Sequence, residues 1–211
     1  MADQKRVAAV LVERHGRTFA EEAGIRLKDS PAALWQLLVL ALLLSARITS
    51  DIAVSAAREL NKAGYTTPKK MAASTWQQRV DALGRGHYRR YDERTASQLG
   101  ELAELVLDRY GGDLRALHED SSDVASDLQQ FKGIGPAGAA IFCREVQGVW
   151  TDLAPYVDDV AKDGAKALGL PRSADRLTGL VSGQDLPRLV AGCVRASRDQ
   201  DVVTDVREHS S

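Results

Sequence analysis

Two cysteines in 211 residues, Cys143 and Cys193, are too few for a disulfide framework, a four-thiolate zinc site or a four-thiolate iron–sulfur cluster held within this chain. Aromatic residues make up only 5%, so the core must rest on Leu, Ala and Val, which favours helices over a sandwich or barrel. The longest apolar stretch, Leu37 to Leu44, falls far short of the roughly 20 residues a membrane span needs. The opening MADQKRVAAV lacks the apolar region and small-residue cleavage site of a signal peptide, so a soluble, cytoplasmic protein is expected. No charge of one sign dominates either. A net charge of −1 and a pI near 6.4 exclude a wholesale polyanion binder, though not a local basic face that meets a phosphate backbone. Repeats and low-complexity linkers are also missing, and the polar residues from Asp199 to Ser211 are expected to fray.

What is present is helical periodicity. Val7, Val10 and Leu11 form a short apolar stripe. Asp29-Ser30-Pro31 starts a helix, with a side-chain oxygen to cap it and proline in the first turn, where its missing N–H costs nothing. The segment that follows, through Leu44, is apolar on nearly every face and belongs in the middle of a bundle. Its partner, Asp51 to Leu60, presents Ala53, Ala56, Ala57 and Leu60 at helical spacing. Thr67-Pro68 starts another helix, and Arg94 to Tyr110 ends at Gly111-Gly112, a left-handed stop, before Asp113 caps a short turn. Sustained alternation is absent, so the fold class is all-α.

The chemistry concentrates in Asp127 to Phe142. A helix end leads into Gly133-Ile134-Gly135, and Pro136 with small residues opens the next helix. The glycines permit a tight hairpin with close backbone approach, and Ile134 plugs the gap between the helices. The unpaired N–H groups that open the second helix, around Ala137 and Gly138, suit a phosphate, and turn carbonyls suit a monovalent cation shared with it. Physically this is a sequence-independent clamp on a nucleic-acid backbone. A basic run lies upstream: Arg85, His87, Arg89, Arg90 and Arg94, interleaved with Tyr88 and Tyr91 and diluted by Asp92 and Glu93. Arginines beside aromatics suit phosphate contact and stacking. His15, His118 and His209 have no evident partners, and Cys143 reads as a small buried hydrophobe.

Leu128 to Ile141 resembles a helix-hairpin-helix motif, centred in a region of about 123–147, and Gly148 to Asp158 resembles the Gly/Pro-rich loop and aspartate of the DNA glycosylase superfamily named for that pair. LLVLALLLSARITSD, from Leu37 to Asp51, is similar to the buried helix and loop of endonuclease III-type enzymes, and Gly86-His87-Tyr88 resembles their second DNA-inserting loop. The resemblance covers residues 30 to 170, with four landmarks in order. It implies two helical subdomains flanking a DNA-binding cleft: 30–149 as the central bundle, and 1–29 with 150–211 as the second, carrying the catalytic aspartate. Asp158 matches that aspartate, because its interval to Leu168-Gly169-Leu170 equals the family's, and Asp159 is the adjacent rival. A lone aspartate before a helix is otherwise a cap, and the two roles are compatible.

The position of the family's Schiff-base lysine is Ala137, followed by Gly138, so the resemblance implies a monofunctional enzyme that hydrolyses the N-glycosidic bond with water. The cluster cysteines of many relatives are missing, which leaves no expected cofactor beyond a cation at the hairpin. Base extrusion from duplex DNA must precede the chemistry, and Arg47 and His87 are placed to fill the hole or meet the orphaned base. Trp150, on the approach to Asp158, is either core or a wall of the base pocket. The expected enzyme is a monomer acting in base excision repair, with uracil or another modified pyrimidine as substrate. Two alternatives stay open: a catalytically silent damage sensor on the same scaffold, and a lyase using a displaced amine such as Lys132 or Lys162.

Overall fold

Pro31 sets the first turn of the helix that organises the larger half of the molecule. In a computed structural model describing residues 2–210, α3 runs Pro31–Leu44 after α1, Ala2–His15, and a short α2, Phe19–Glu22. Ser30 takes the extended N-cap conformation, but its side chain makes no cap hydrogen bond, so proline at the first position supplies the start signal without it. Leu34, Trp35, Leu37, Leu38, Leu40 and Leu43 are fully buried, as an all-round apolar helix requires.

The remaining helices are α4 (Ser50–Lys62), α5 (Pro68–Ala72), α6 (Trp76–Arg85), α7 (Asp92–Tyr110), α8 (Leu114–Asp120), α9 (Val124–Leu128), α10 (Pro136–Val146), α11 (Asp159–Ala167), α12 (Ala174–Thr178), α13 (Leu186–Arg198) and α14 (Gln200–Ser210). Two 3₁₀ turns, Thr151–Leu153 and Gly183–Asp185, complete the secondary structure, and no strand occurs among the described residues. The protein is all-α.

The chain divides into two compact units, 20–143 and 1–19 with 144–211, where the sequence suggested boundaries at 30 and 150. In the larger unit α3 packs on α4, α4 on α6, and α7 on both α5 and α6. The α4–α6 approach is close because Gly86, capping α6, lies against the α4 backbone: a Cβ there would sit 2.4 Å from the Ala56 Cα. Thr75 and Gln78 open α6 with a reciprocal capping box, and Gly111 closes α7 at φ +60°.

In the smaller unit α11 packs along α13, and α1 packs against α13 and α14. Gly164 is essential to the first contact, since a Cβ there would lie 1.7 Å from the Cys193 carbonyl oxygen. The C-terminal segment, expected to fray, is helical over Gln200–Ser210, and Ser211 lies outside the described residues. Val202, Val203 and Val206 are buried on one face of α14, and Asp205 beside them takes hydrogen bonds from Arg14 Nε and Nη2 at 2.7 Å. Polar composition concealed this valine stripe. His15 Nε2 lies 2.6 Å from the same Asp205 carboxylate and His209 Nδ1 3.4 Å, so two of the three histidines that lacked an evident partner share one.

Candidate nucleic-acid interface and active site

The hairpin between α9 and α10 is built as its residues dictate. Gly133 has φ +95°, and a side chain there would meet Gln98 Nε2 at 2.9 Å and Leu42 Cδ1 at 3.3 Å. Ile134 is 3% exposed, filling the space between the helices. Gly135 and Ala137 face solvent, and Gly135 has no neighbouring atom within 4 Å of an added Cβ. Ile134 N–H donates back to the Phe131 carbonyl and Ala139 N–H to that of Gly135. No group among the described residues accepts from the N–H of Gly135, Ala137 or Gly138. A helix of eleven residues thus opens with free donors at an accessible turn, the arrangement that receives an anion. Lys132 lies beside the turn, exposed and 2.8 Å from Glu101.

Next to the hairpin, and within the same unit, lies a cavity of about 420 Å³. Its walls include Arg47 from the α3–α4 loop, Arg94 and Gln98 from α7, Tyr91 ahead of α7, and Gly133 of the hairpin itself. The structure therefore joins three segments that the sequence reading kept separate. His87 sits exposed at the tip of the α6–α7 loop with φ +63°, the one positive φ outside glycine among the described residues.

The basic run is less uniform than its sequence. Arg89 and Arg94 are exposed, Arg85 Nε lies 3.5 Å from Glu59, and the Arg90 guanidinium covers the Tyr91 ring at 5.3 Å. Tyr88 is not available for stacking: it is 2% exposed, with its hydroxyl accepting from Thr95 Oγ1, and burial pushes its pKa up. Its apolar ring fills the space under the loop, leaving Tyr91 as the accessible aromatic of the pair.

Asp158 belongs to the smaller unit. Its backbone is extended, it caps α11, and its Oδ1 accepts from the Ala161 N–H at 3.1 Å. The other oxygen, Oδ2, accepts from Arg144 Nη1 at 2.9 Å. Arg144 is nearly enclosed, with its side chain 7% exposed against 17% for Asp158. Asp159 faces away from any such setting, 89% exposed and 3.2 Å from Lys162 Nζ. Trp150 is 3% exposed, in a core role. Gln147, also buried, ties down the loop that leads to Asp158: its Nε2 donates to the carbonyls of Arg144 and Tyr156, and its Oε1 accepts from the Tyr156 N–H.

Sequence reasoning missed Arg144 and Gln147. The signal was there in part, since Arg144 and Glu145 interrupt the apolar run that starts at Ala139, and charges on a buried helix require partners. Nothing local indicated which carboxylate that partner was.

No family model and no curated protein matches the chain. Solved structures do. A trapped endonuclease III–DNA covalent intermediate with an estranged adenine superposes with a TM-score of 0.51 at 17% identity, over 84% of this chain and 81% of that one. A non-covalent endonuclease III–DNA complex superposes at 0.50 and 19%, with the same coverage. The fold is that of endonuclease III. At such identity the likeness lies in the backbone path, and side-chain chemistry must be read from this chain. In this version of the endonuclease III fold the sequence's two cysteines, both buried, cannot supply the four thiolates of an iron–sulfur cluster, so the residues do not fit that group. Burial pushes the thiols of Cys143 and Cys193 up to about 12, leaving them protonated and inert.

Proposed function

We propose that the protein is a monofunctional DNA glycosylase of base excision repair, removing a damaged or mispaired base from double-stranded DNA by hydrolysis. The observation that carries this reading is Asp158, fixed by two hydrogen bonds at the start of α11 yet still partly open to solvent. Two solved structures with this fold are bound to DNA, which supports duplex DNA as the partner. The free N–H groups of the hairpin take a phosphate oxygen, with a monovalent cation held by the turn carbonyls. Arg47 and His87 enter the space left by the extruded nucleotide, and Arg89 and Arg94 contact the flanking backbone. The C1′–N bond then breaks with the electron pair leaving on the base. Positive charge builds on the sugar, and the Asp158 carboxylate stabilises it. Water adds to C1′ and its proton leaves, so base and abasic site separate.

Covalent trapping, as in the first endonuclease III structure, needs a side-chain nucleophile. Ala137 and Gly138, which follow the hairpin, offer none, and Lys132 and Lys162 are each engaged by a carboxylate. Uracil or another modified pyrimidine is the proposed base, and the enzyme works as a monomer in the cytoplasm. One observation favours a second reading, a sensor that binds without cutting: both oxygens of Asp158 already accept hydrogen bonds, one from a cation.

The test is incubation with duplexes that each carry one modified or mispaired base. Strand breaks only after alkali support the proposal. Breaks without alkali, with borohydride trapping, indicate a lyase, and binding with no base release indicates a sensor.

A further inference from the structure

The pairing of Asp158 with a buried arginine asks for an explanation beyond helix capping. A cap needs only one carboxylate oxygen, and here the Ala161 N–H already occupies Oδ1. The second oxygen receives Nη1 of Arg144, whose side chain is 7% exposed on the last turns of α10. Enclosing a guanidinium is costly unless it is paired and hydrogen-bonded, so such pairs add little net stability over apolar residues of similar size. What a pair of this kind does provide is direction. Two donors on two different oxygens fix both the rotation of the carboxylate plane and the position of its carbon. Gln147, one turn further along, fixes the approaching loop at Tyr156 through two hydrogen bonds and is itself anchored by a third to the Arg144 carbonyl. The end of α10 thereby holds both the loop and the carboxylate that follows it.

We propose that Arg144 is a positioning residue for Asp158, setting the orientation of its carboxylate and sharing its charge. This rests on the glycosylase reading for its catalytic consequence, though not for its structural one. The guanidinium does not touch the reacting sugar; it acts through Asp158 alone. Misplacing a reacting group by ~1 Å costs on the order of 100-fold in rate, so loss of Arg144 should lower turnover on that scale while leaving substrate affinity unchanged.

The experiment compares Arg144→Met and Arg144→Lys with wild type by two measurements on the full-length protein. The first is single-turnover base release and affinity on duplexes bearing single modified bases. The second is the amide resonance and hydrogen exchange of Ala161, which report the Oδ1 bond directly. Arg144→Met is expected to shift the Ala161 amide, speed its exchange and slow base release about 100-fold at unchanged Kd. Arg144→Lys, which restores the charge but not the planar fork, is expected to recover part of both. An unchanged Ala161 amide in Arg144→Met would overturn the inference, as would undiminished base release by that variant. If wild type releases no base from any duplex, the glycosylase reading falls, and the Ala161 amide alone still decides whether Arg144 holds the carboxylate.

Discussion

Residues that matter most here are charged groups whose partners lie far away in sequence. Arg79 is 9% exposed, and its guanidinium donates to the Ala96 carbonyl at 2.8 Å, to the Ser74 carbonyl at 2.7 Å and to the Ser74 hydroxyl at 3.2 Å. It staples α6 to the end of α5 and to α7, which is why Gly100 stands beside it: a Cβ there would meet Nη2 at 2.7 Å. Arg79→Ala should therefore cost about 3 kcal/mol in urea unfolding, because buried carbonyls lose their donor. A loss below ~1 kcal/mol, the level of an ordinary surface substitution, would show that water replaces the guanidinium. Neither this staple nor the Arg144–Asp158 pair was legible in the sequence. Spacing within a helix reveals which face is buried, whereas partners from other helices are chosen by tertiary packing. The capping role of Asp158 was legible, because its place before a helix and after a Gly/Pro-rich loop is local information.

Elements were legible where local chemistry is strong. Proline starts at Pro31 and Pro68, the Gly111 stop, and the alanine face of α4 all stand where their sequence signals put them. Helix α14 was missed, since three valines in a polar segment signal little until α1 is seen to receive them. Close backbone contacts were equally hidden. Gly164 reads as a weak point in a helix, yet it lets α11 approach the Cys193 carbonyl. Gly164→Ala should separate α11 from α13 and destabilise the protein by about 3 kcal/mol, with a lower thermal midpoint as the readout. An unchanged midpoint would mean that the helices part freely. At the hairpin, Gly133→Ala must bear a side chain at φ +95° and displace Gln98. Expected outcomes are a loss of about 1–2 kcal/mol in stability and weaker duplex binding by fluorescence anisotropy. Full affinity would remove the hairpin from the binding account.

On the scale of the whole molecule, a net charge of −1 means that the DNA affinity proposed above must come from a few local contacts. With Arg89 and Arg94 as the cations that meet phosphate, log affinity should fall with log salt at a slope of about −2. A slope near zero would exclude this surface. Acid stability depends on a different cluster. Arg14 first, then His15, hold the Asp205 carboxyl far below the usual carboxylate range. Because its folded pKa is depressed, Asp205 stabilises the protein at pH values above the ordinary carboxylate range, and that contribution is lost as pH falls through the folded value. Asp205→Asn should accordingly flatten the decline in thermal midpoint below about pH 4, whereas an unaltered acid profile would contradict the assignment.

The most direct test of the central claim is base release by wild type and Asp158→Asn, measured side by side on the same modified duplexes together with their affinities. The account predicts alkali-dependent strand cleavage by wild type, and none by Asp158→Asn at near-normal affinity. Undiminished release by Asp158→Asn would contradict it.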